Sequence, residues 1–502
     1  MAHRVGQDRS IPIRLNLEEV IEKENPVRVI DAYVDQLDLQ LLGFNHVVPA
    51  EMGSPPYHPG DLLKLYIYGY ENRIRSSRQL ARACEVNIEL WWLLKGIKPS
   101  YRTIARFRSE HSAGMRQLFE RYVQDLKKWD LLGKELQAVD SVKLRAQNSK
   151  KNNYNKKKIE RHRKRIVEKI RNYMKALDES EAVDEPEPGK EELLGHIQTQ
   201  MVRLGTYQEL EEQLVESGEK QLSTTDADAR ALILHRDIVE VCYAAQVVAD
   251  ERHKLLIHYE TTNENDAHAL HRVARGGQTA LGVQQIDTLA DKGYHTGSEL
   301  AACATDQIRT YVAPPQPSSS KPTPGYRMVD FEYVEQGDYY RCPEGQILQT
   351  NGRYYSKGTA DYQVKHYKTK ACTDCPARSL CTQNKLGRLI ERSQYQGAID
   401  ANRKRVEANK TYYRKRQAII EHPFGTIKRA WGYTYTLLKG QTKSRRRTGI
   451  DIFLLQPAAQ CVHTRRTVTL GASNKAIALD FVACYTVEHP VVQISVEVML
   501  FS

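Results

Sequence analysis

Glu135-Leu-Gln-Ala-Val-Asp140 reads as a short strand that ends on an acid, and a run of cations begins directly after it. Between Ser141 and Tyr173 stand thirteen Lys and Arg, with Glu160 and Glu168 as the only acids. Ile159, Ile166, Ile170, Tyr173, Met174 and Leu177 recur there at helical spacing. Beyond the Asp184-Glu-Pro-Glu-Pro-Gly189 breaker, Leu193, Ile197, Met201, Leu204 and Leu214 do the same. The pattern predicts a helical hairpin over 156–220, set between two strands, basic on one arm and acidic on the other. Strand patterns resume at Val239–Val248 and Lys254–Tyr259, and Ile286–Ala290 leads into a second acid, Asp291. Strands and helices mixed in this way place the central part of the chain in the α/β class.

Upstream, residues 1–130 read as helical. Asp61-Leu-Leu-Lys-Leu-Tyr-Ile-Tyr-Gly-Tyr70 follows the Pro59-Gly60 turn and is too apolar for an exposed helix. Ser76-Ser-Arg-Gln79 has capping-box spacing. Tyr101 to Trp129 reads as one long helix with Ile104, Phe107, Met115, Leu118, Phe119, Tyr122 and Leu126 on its apolar side. Arginines such as Arg102 and Arg106 on short helices suit a DNA-docking domain, and a generic helical bundle with surface arginines is the plain alternative.

The chain has 502 residues and a formal net charge of +12. Its length predicts two to four domains, and a hydrophobic fraction of 40% without a long apolar run excludes a polytopic membrane protein. The polar start, Met1 to Arg14, points to the cytoplasm. Nine cysteines in so long a chain are no disulfide scaffold. A second basic belt, Arg403 to Arg447, holds only Glu407 and Glu421 as acids. One basic run can be a solvated helix face. Two belts interleaved with tyrosines point to a polyanion.

Asp140 and Asp291 close two strand patterns, and Glu421 lies in the helix-like stretch Arg416-Gln-Ala-Ile-Ile-Glu-His-Pro-Phe-Gly-Thr-Ile-Lys428. Three such carboxylates could hold two hard divalent ions, as two-metal phosphodiester chemistry requires. Cys342, Cys372, Cys375 and Cys381 follow the pattern C-x29-C-x2-C-x5-C. Four thiolates with one tight pair could hold a structural Zn2+, and reduced structural cysteines are the alternative.

From roughly Ser10 to Gly440 the chain resembles a DDE transposase of a bacterial insertion sequence, of the IS1182-like group within the IS4/IS5-like assemblage. Ile67-Tyr-Gly-Tyr70 through Thr103-Ile-Ala-Arg-Phe-Arg108 is similar to the helical N-terminal domain of these proteins. Val139-Asp140-Ser141 resembles the strand of the first catalytic Asp, and Ala290-Asp-Lys-Gly-Tyr294 the second-Asp motif. Glu421-His-Pro-Phe-Gly-Thr-Ile-Lys428 resembles the block carrying the catalytic Glu, with Lys428 at the family's interval after it. Tyr413 and Arg416 stand one residue out of the usual Tyr–Arg–Glu spacing.

The resemblance implies an RNase H-like catalytic core over 131–440, behind a helical N-terminal DNA-binding domain over 1–130. The hairpin over 156–220 and a Cys-containing insertion over 325–395 interrupt that core. It further implies cleavage of terminal inverted repeats and joining to target DNA, with Asp140, Asp291 and Glu421 holding two Mg2+ ions. Lys428 and Arg416, with Lys156, Lys157 and Lys158 and with Arg102 and Arg106, would contact double-stranded DNA, and the protein would act as a homo-oligomer on it, away from any membrane. After about Lys443 the resemblance stops. The tail over 441–502 is apolar and β-branched near its end, which fits a frameshifted reading or a divergent β tail. A catalytically decayed or repurposed DNA-binding protein of the same family is the competing function.

Overall fold

The computed structural model describes residues 8, 10–12, 14–53, 55–182, 187–235, 238–315, 325–358, 362–425, 434–436, 439–440, 467–472, 475–482 and 495–499. These fall into two units, the first holding 1–133, 141–265 and 419–502, the second 134–140 and 266–418.

The first unit opens with helices α1 (Leu17–Val20), α2 (Pro26–Asp35), α3 (Pro59–Glu71), α4 (Ser77–Val86), α5 (Ile88–Leu93), α6 (Tyr101–Glu110) and α7 (Ser112–Lys128). α3 is buried from Leu62 to Tyr70, as its apolar density requires. Even Lys64 is inside, with its ammonium shared between Asp31 and Asp35 at 2.5 and 2.6 Å. Gly69 lets α4 approach, since a Cβ there would stand 2.5 Å from a Leu80 methyl and 2.9 Å from the Ile74 carbonyl. Ser76 does cap α4, but its side chain makes no capping hydrogen bond. Gln79 is exposed, where water competes for its amide, so the expected box does not form. The single helix expected over Tyr101–Trp129 is two. His111 separates them at φ −106° and ψ 28°, its buried ring bonded to the Phe107 carbonyl at 2.8 Å and stacked on Phe44.

Strand β1 (Leu136–Arg145) does not stop at Asp140. Val142 and Leu144 are buried while Lys143 and Arg145 alternate with them, so the first two cations of the basic run sit on a strand. Next, β2 (Asn153–Tyr154) pairs antiparallel with β3 (Leu222–Ser223), and α8 (Lys156–Ala182) and α9 (Glu187–Glu216) run between them. The two helices meet through Ile159, Leu210 and Leu214, through a His162–Tyr207 stack, and through an Arg163–Glu211 ion pair. β4 (Arg230–His235) and β6 (Leu256–Thr262) both pair antiparallel with β5 (Ile238–Asp250), which is buried from Val241 onward and neighbours β1 in the sheet. Phe119 of α7 meets Tyr259 of β6 edge-on at 4.9 Å.

In the second unit the opening half of β1 pairs in parallel with β7 (Ile286–Ala290), and β7 with β8 (Ile308–Val312). Helix α10 (Leu270–Leu281) leads into β7, ending on Gly282 in the left-handed region at φ 68°, and α11 (Gly297–Thr305) connects β7 to β8. A small β-rich region follows. Its strands β9 (Glu332–Val334), β10 (Tyr339–Arg341) and β11 (Ile347–Gln349) form one antiparallel sheet. A second contains β12 (Tyr354–Ser356), β13 (Gln363–Tyr367) and β14 (Ile390–Ser393), with the short helix α12 (Arg378–Cys381) before β14. Phe331, Tyr340, Leu348, Tyr367 and Ile390 form its core. Helices α13 (Gln396–Ala408) and α14 (Lys410–Gly425) follow, the last turns of α14 counting with the first unit. In the tail, β15 (Thr467–Ala472), β16 (Lys475–Val482) and β17 (Ser495–Met499) pair antiparallel with one another. No described helix is long and apolar enough to cross a membrane.

Candidate active site

Val139 stands opposite Ala290 in the parallel ladder, so Asp140 and Asp291 follow at the same level on neighbouring chains. Adjacent strands lie about 4.8 Å apart, which puts the two acids side by side. Asp291 follows the carboxyl end of β7 and caps a short turn, its Oδ1 accepting the Gly293 N–H at 2.6 Å. A Cβ at position 293 would lie 2.9 Å from that oxygen, so any side chain there would push the Asp291 carboxylate aside, and a carboxylate oxygen of Asp266 lies 3.6 Å from the same point. Asp266 is a third acid beside this turn that the strand patterns did not reveal. Tyr294 is fully buried and anchors the turn from below. Burial holds the pKa of the adjacent His295 below the usual imidazole range, and its Nε2 has no hydrogen-bond partner among the described residues.

Helix α14 brings Arg416 to Asp140, Nη1 donating to Oδ2 at 3.2 Å. Both side chains are mostly covered, at 18% and 24% exposure. One turn earlier, the Tyr413 hydroxyl is pushed above its ordinary pKa by burial, and it feels Arg416, Asp291 and Asp140 as well. Two ties fix this end of α14 and the helix before it. Tyr412 donates to Asp287 Oδ2 at 2.9 Å, while Arg309 donates to the other oxygen of Asp287 at 2.7 Å. Asn402 of α13 bonds both the N–H and the carbonyl of Val312, at 2.9 and 2.7 Å. The sequence held one sign of the first tie, an acid inside an otherwise uncharged strand at Asp287.

Glu421 is exposed, farther along α14 than Arg416 and within the other unit. Lys428 falls outside the described residues. Arg102 and Arg106 are exposed on α6. Arg102 and Arg78 both lie over the Tyr101 ring, at 5.9 and 5.4 Å, and Arg106 pairs with Glu110 at 3.6 Å. Lys156 and Lys157 are exposed in the first turn of α8, where the helix dipole disfavours cations. Lys158 differs from them. Its ammonium donates to the carbonyls of Lys150, Lys151 and Asn153 at 2.9, 2.8 and 2.7 Å, and burial lowers its pKa.

Cys342, Cys372, Cys375 and Cys381 line one cavity together with Tyr326 and Phe331. The Gln346 N–H donates to Cys342 Sγ at 3.3 Å, and burial pushes the Cys381 thiol up. Among the described residues, no three His, Cys, Asp or Glu side chains stand together at metal-binding distance.

Residues 15–110 match the family model of a transposase domain (DUF772), and residues 341–452 match that of a transposase DDE domain. These two matches support a DDE transposase. The pairing of the two domains fits an insertion sequence of the IS1182-like group. No curated protein and no solved structure matches the chain. Arg102 and Arg106 fall in the first matched stretch. Arg416, Glu421, Lys428 and the four cysteines fall in the second. Asp140, Asp291 and Lys156–Lys158 lie between the two stretches, so their assignment rests on the sequence words and the strand register.

Proposed function

We propose that this transposase cuts the inverted-repeat ends of its insertion sequence and joins them to target DNA, with Asp140, Asp291 and Glu421 as its catalytic carboxylates. The observation that carries the reading is the register of β1 and β7, which sets Asp140 and Asp291 level at the carboxyl end of β7. Sites of open α/β sheets lie at such strand ends. The sheet order β4-β5-β1-β7-β8, with antiparallel strands around β5 and parallel strands after β1, supports an RNase H-like core.

The donor set is oxygen-only, as a hard divalent cation prefers. Two Mg2+ ions, held by Asp140, Asp291 and Glu421, would supply activation of the attacking oxygen and stabilisation of the leaving one. The protein's own groups do the rest. Gly293 leaves space for the Asp291 carboxylate and orients it through its N–H. Lys428 would contact a phosphate oxygen. Lys156 and Lys157, paired with the amide-rich start of α8, would hold the duplex backbone, as would Arg102 and Arg106. Lys158, bound to three carbonyls, serves that helix start instead. On this reading the protein works in the cytoplasm as a homo-oligomer on DNA. A structural Zn2+ at Cys342, Cys372, Cys375 and Cys381 belongs to the same proposal. It is supported by their shared cavity, and binding would draw the thiolates inward from their present positions.

The test is incubation of the full chain with Mg2+ and a labelled terminal-repeat duplex. Nicked and joined products are expected, and Asp140→Ala should abolish both while leaving DNA binding within about threefold. Binding without any product by the wild-type chain would favour the decayed, DNA-binding reading. Cleavage by Asp140→Ala at the wild-type rate would remove Asp140 from the chemistry.

A further inference from the structure

The Arg416–Asp140 contact is unusual for a guanidinium pairing with a carboxylate. Arginine normally offers two parallel N–H groups to a carboxylate. Here a single bond of 3.2 Å joins them, and the buried Nε of Arg416 has no hydrogen-bond partner among the described residues. The guanidinium is therefore positioned with one donor unsatisfied, a state that costs free energy until an acceptor arrives. A phosphate oxygen of DNA is such an acceptor, and it suits the guanidinium fork better than one carboxylate oxygen does. The helix is not free to carry Arg416 elsewhere, because Tyr412 locks it to Asp287, and Arg309 holds the same carboxylate. What can change is the partner. While Arg416 holds Oδ2, a divalent cation at Asp140 must bind against a fixed positive charge alongside.

We propose that Arg416 is a positioning residue that couples DNA engagement to cation binding, exchanging the Asp140 carboxylate for a DNA phosphate and so releasing that carboxylate to the cation. The proposal rests on the reading of Asp140 as a metal ligand. Coupling of this kind is reciprocal, so the cation must tighten DNA binding by the same factor as DNA tightens cation binding. The exchange keeps the carboxylate neutralised and unavailable to stray cations until a phosphate is present.

Mn2+ binding to the full chain, read from the electron paramagnetic resonance of free Mn2+, tests this with and without a duplex oligonucleotide. Four proteins are compared: wild type, Arg416→Gln, Arg416→Lys and Asp140→Asn. Without DNA, Arg416→Gln should bind Mn2+ at the Asp140-dependent site at least about threefold more tightly than wild type, because the competing charge is gone. DNA should tighten Mn2+ binding by a larger factor in wild type than in Arg416→Gln, and Arg416→Lys should keep part of that difference. A merely structural arginine would give the opposite sign, since its loss would loosen the site and weaken Mn2+ binding. Unchanged or weaker DNA-free Mn2+ binding by both Arg416 variants, or an equal DNA effect in wild type and Arg416→Gln, overturns the coupling. If Asp140→Asn binds Mn2+ as wild type does, the metal reading of Asp140 itself falls, which is a separate failure.

Discussion

The Asp140–Asp291 pair and the four-cysteine cavity occupy the same unit and are built by opposite means. Backbone register places the two acids. Once Val139 faces Ala290, the next residues of both chains must stand level, whatever else binds there. The cysteines come from the loop after β10, the turns before α12, and α12 itself, and only side chains collapsing around Tyr326 and Phe331 bring them to one cavity. A carboxylate pair set by a hydrogen-bonded ladder is preorganised. On the proposed zinc reading, a thiol set on short turns would be finished by the ion, because closing loops costs entropy that few local contacts repay.

That contrast can be broken in steps. If the cysteines hold the proposed zinc, the largest effect should follow its removal. Treating the full chain with phenanthroline, or making the double replacement Cys372→Ser and Cys375→Ser, should lower its thermal midpoint by roughly 5 °C or more and release zinc. Withholding Mg2+ should move the midpoint by less than about 1 °C, because the ladder does not depend on a cation. Equal midpoints with and without zinc would place the cysteines with the ordinary core.

DNA affinity separates neighbours on α8. The double replacement Lys156→Ala and Lys157→Ala should weaken duplex binding by roughly tenfold and reduce the salt slope by about 2. Lys158→Ala should leave that slope nearly unchanged and lower thermal stability instead, since its ammonium serves three carbonyls. A filter-binding titration at several salt concentrations reads both.

A smaller effect is expected at the anchor of α14. Tyr412→Phe removes one hydrogen bond to Asp287, worth about 1 kcal/mol, and should slow cleavage several-fold through a misplaced Arg416. Chemical denaturation and single-turnover cleavage on the same samples measure the two halves of that statement.

How much of this was legible in the sequence differs by region for physical reasons. The buried helix α3, the strands β5 and β7 and both hairpin helices show in their apolar periodicity, because burial of one face writes a period into the chain. The strand β1 was read too short. Lys143 and Arg145 belong to a basic run, and their charge masked the alternation with Val142 and Leu144 that keeps the strand going past Asp140. The break at His111 was missed because nothing in a composition window marks a ring that folds back on the carbonyl of Phe107. The ties of Tyr412 to Asp287 and of Asn402 to Val312 join positions 125 and 90 residues apart, a separation no local pattern can express. Asp140 and Asp291 were legible as candidates from their neighbours in sequence. Their level placement required the ladder.

The most direct test of that placement is a change of metal preference. Asp140→Cys in the full chain replaces a hard oxygen ligand with a soft sulfur while keeping a negative ligand in the same place. If Asp140 holds a cation during cleavage of a terminal-repeat duplex, this variant should be inactive with Mg2+, by roughly a thousandfold, and should recover a large part of the loss with Mn2+. Wild-type cleavage by Asp140→Cys in Mg2+, or a loss that Mn2+ does not relieve in a folded protein that still binds DNA, would contradict the account.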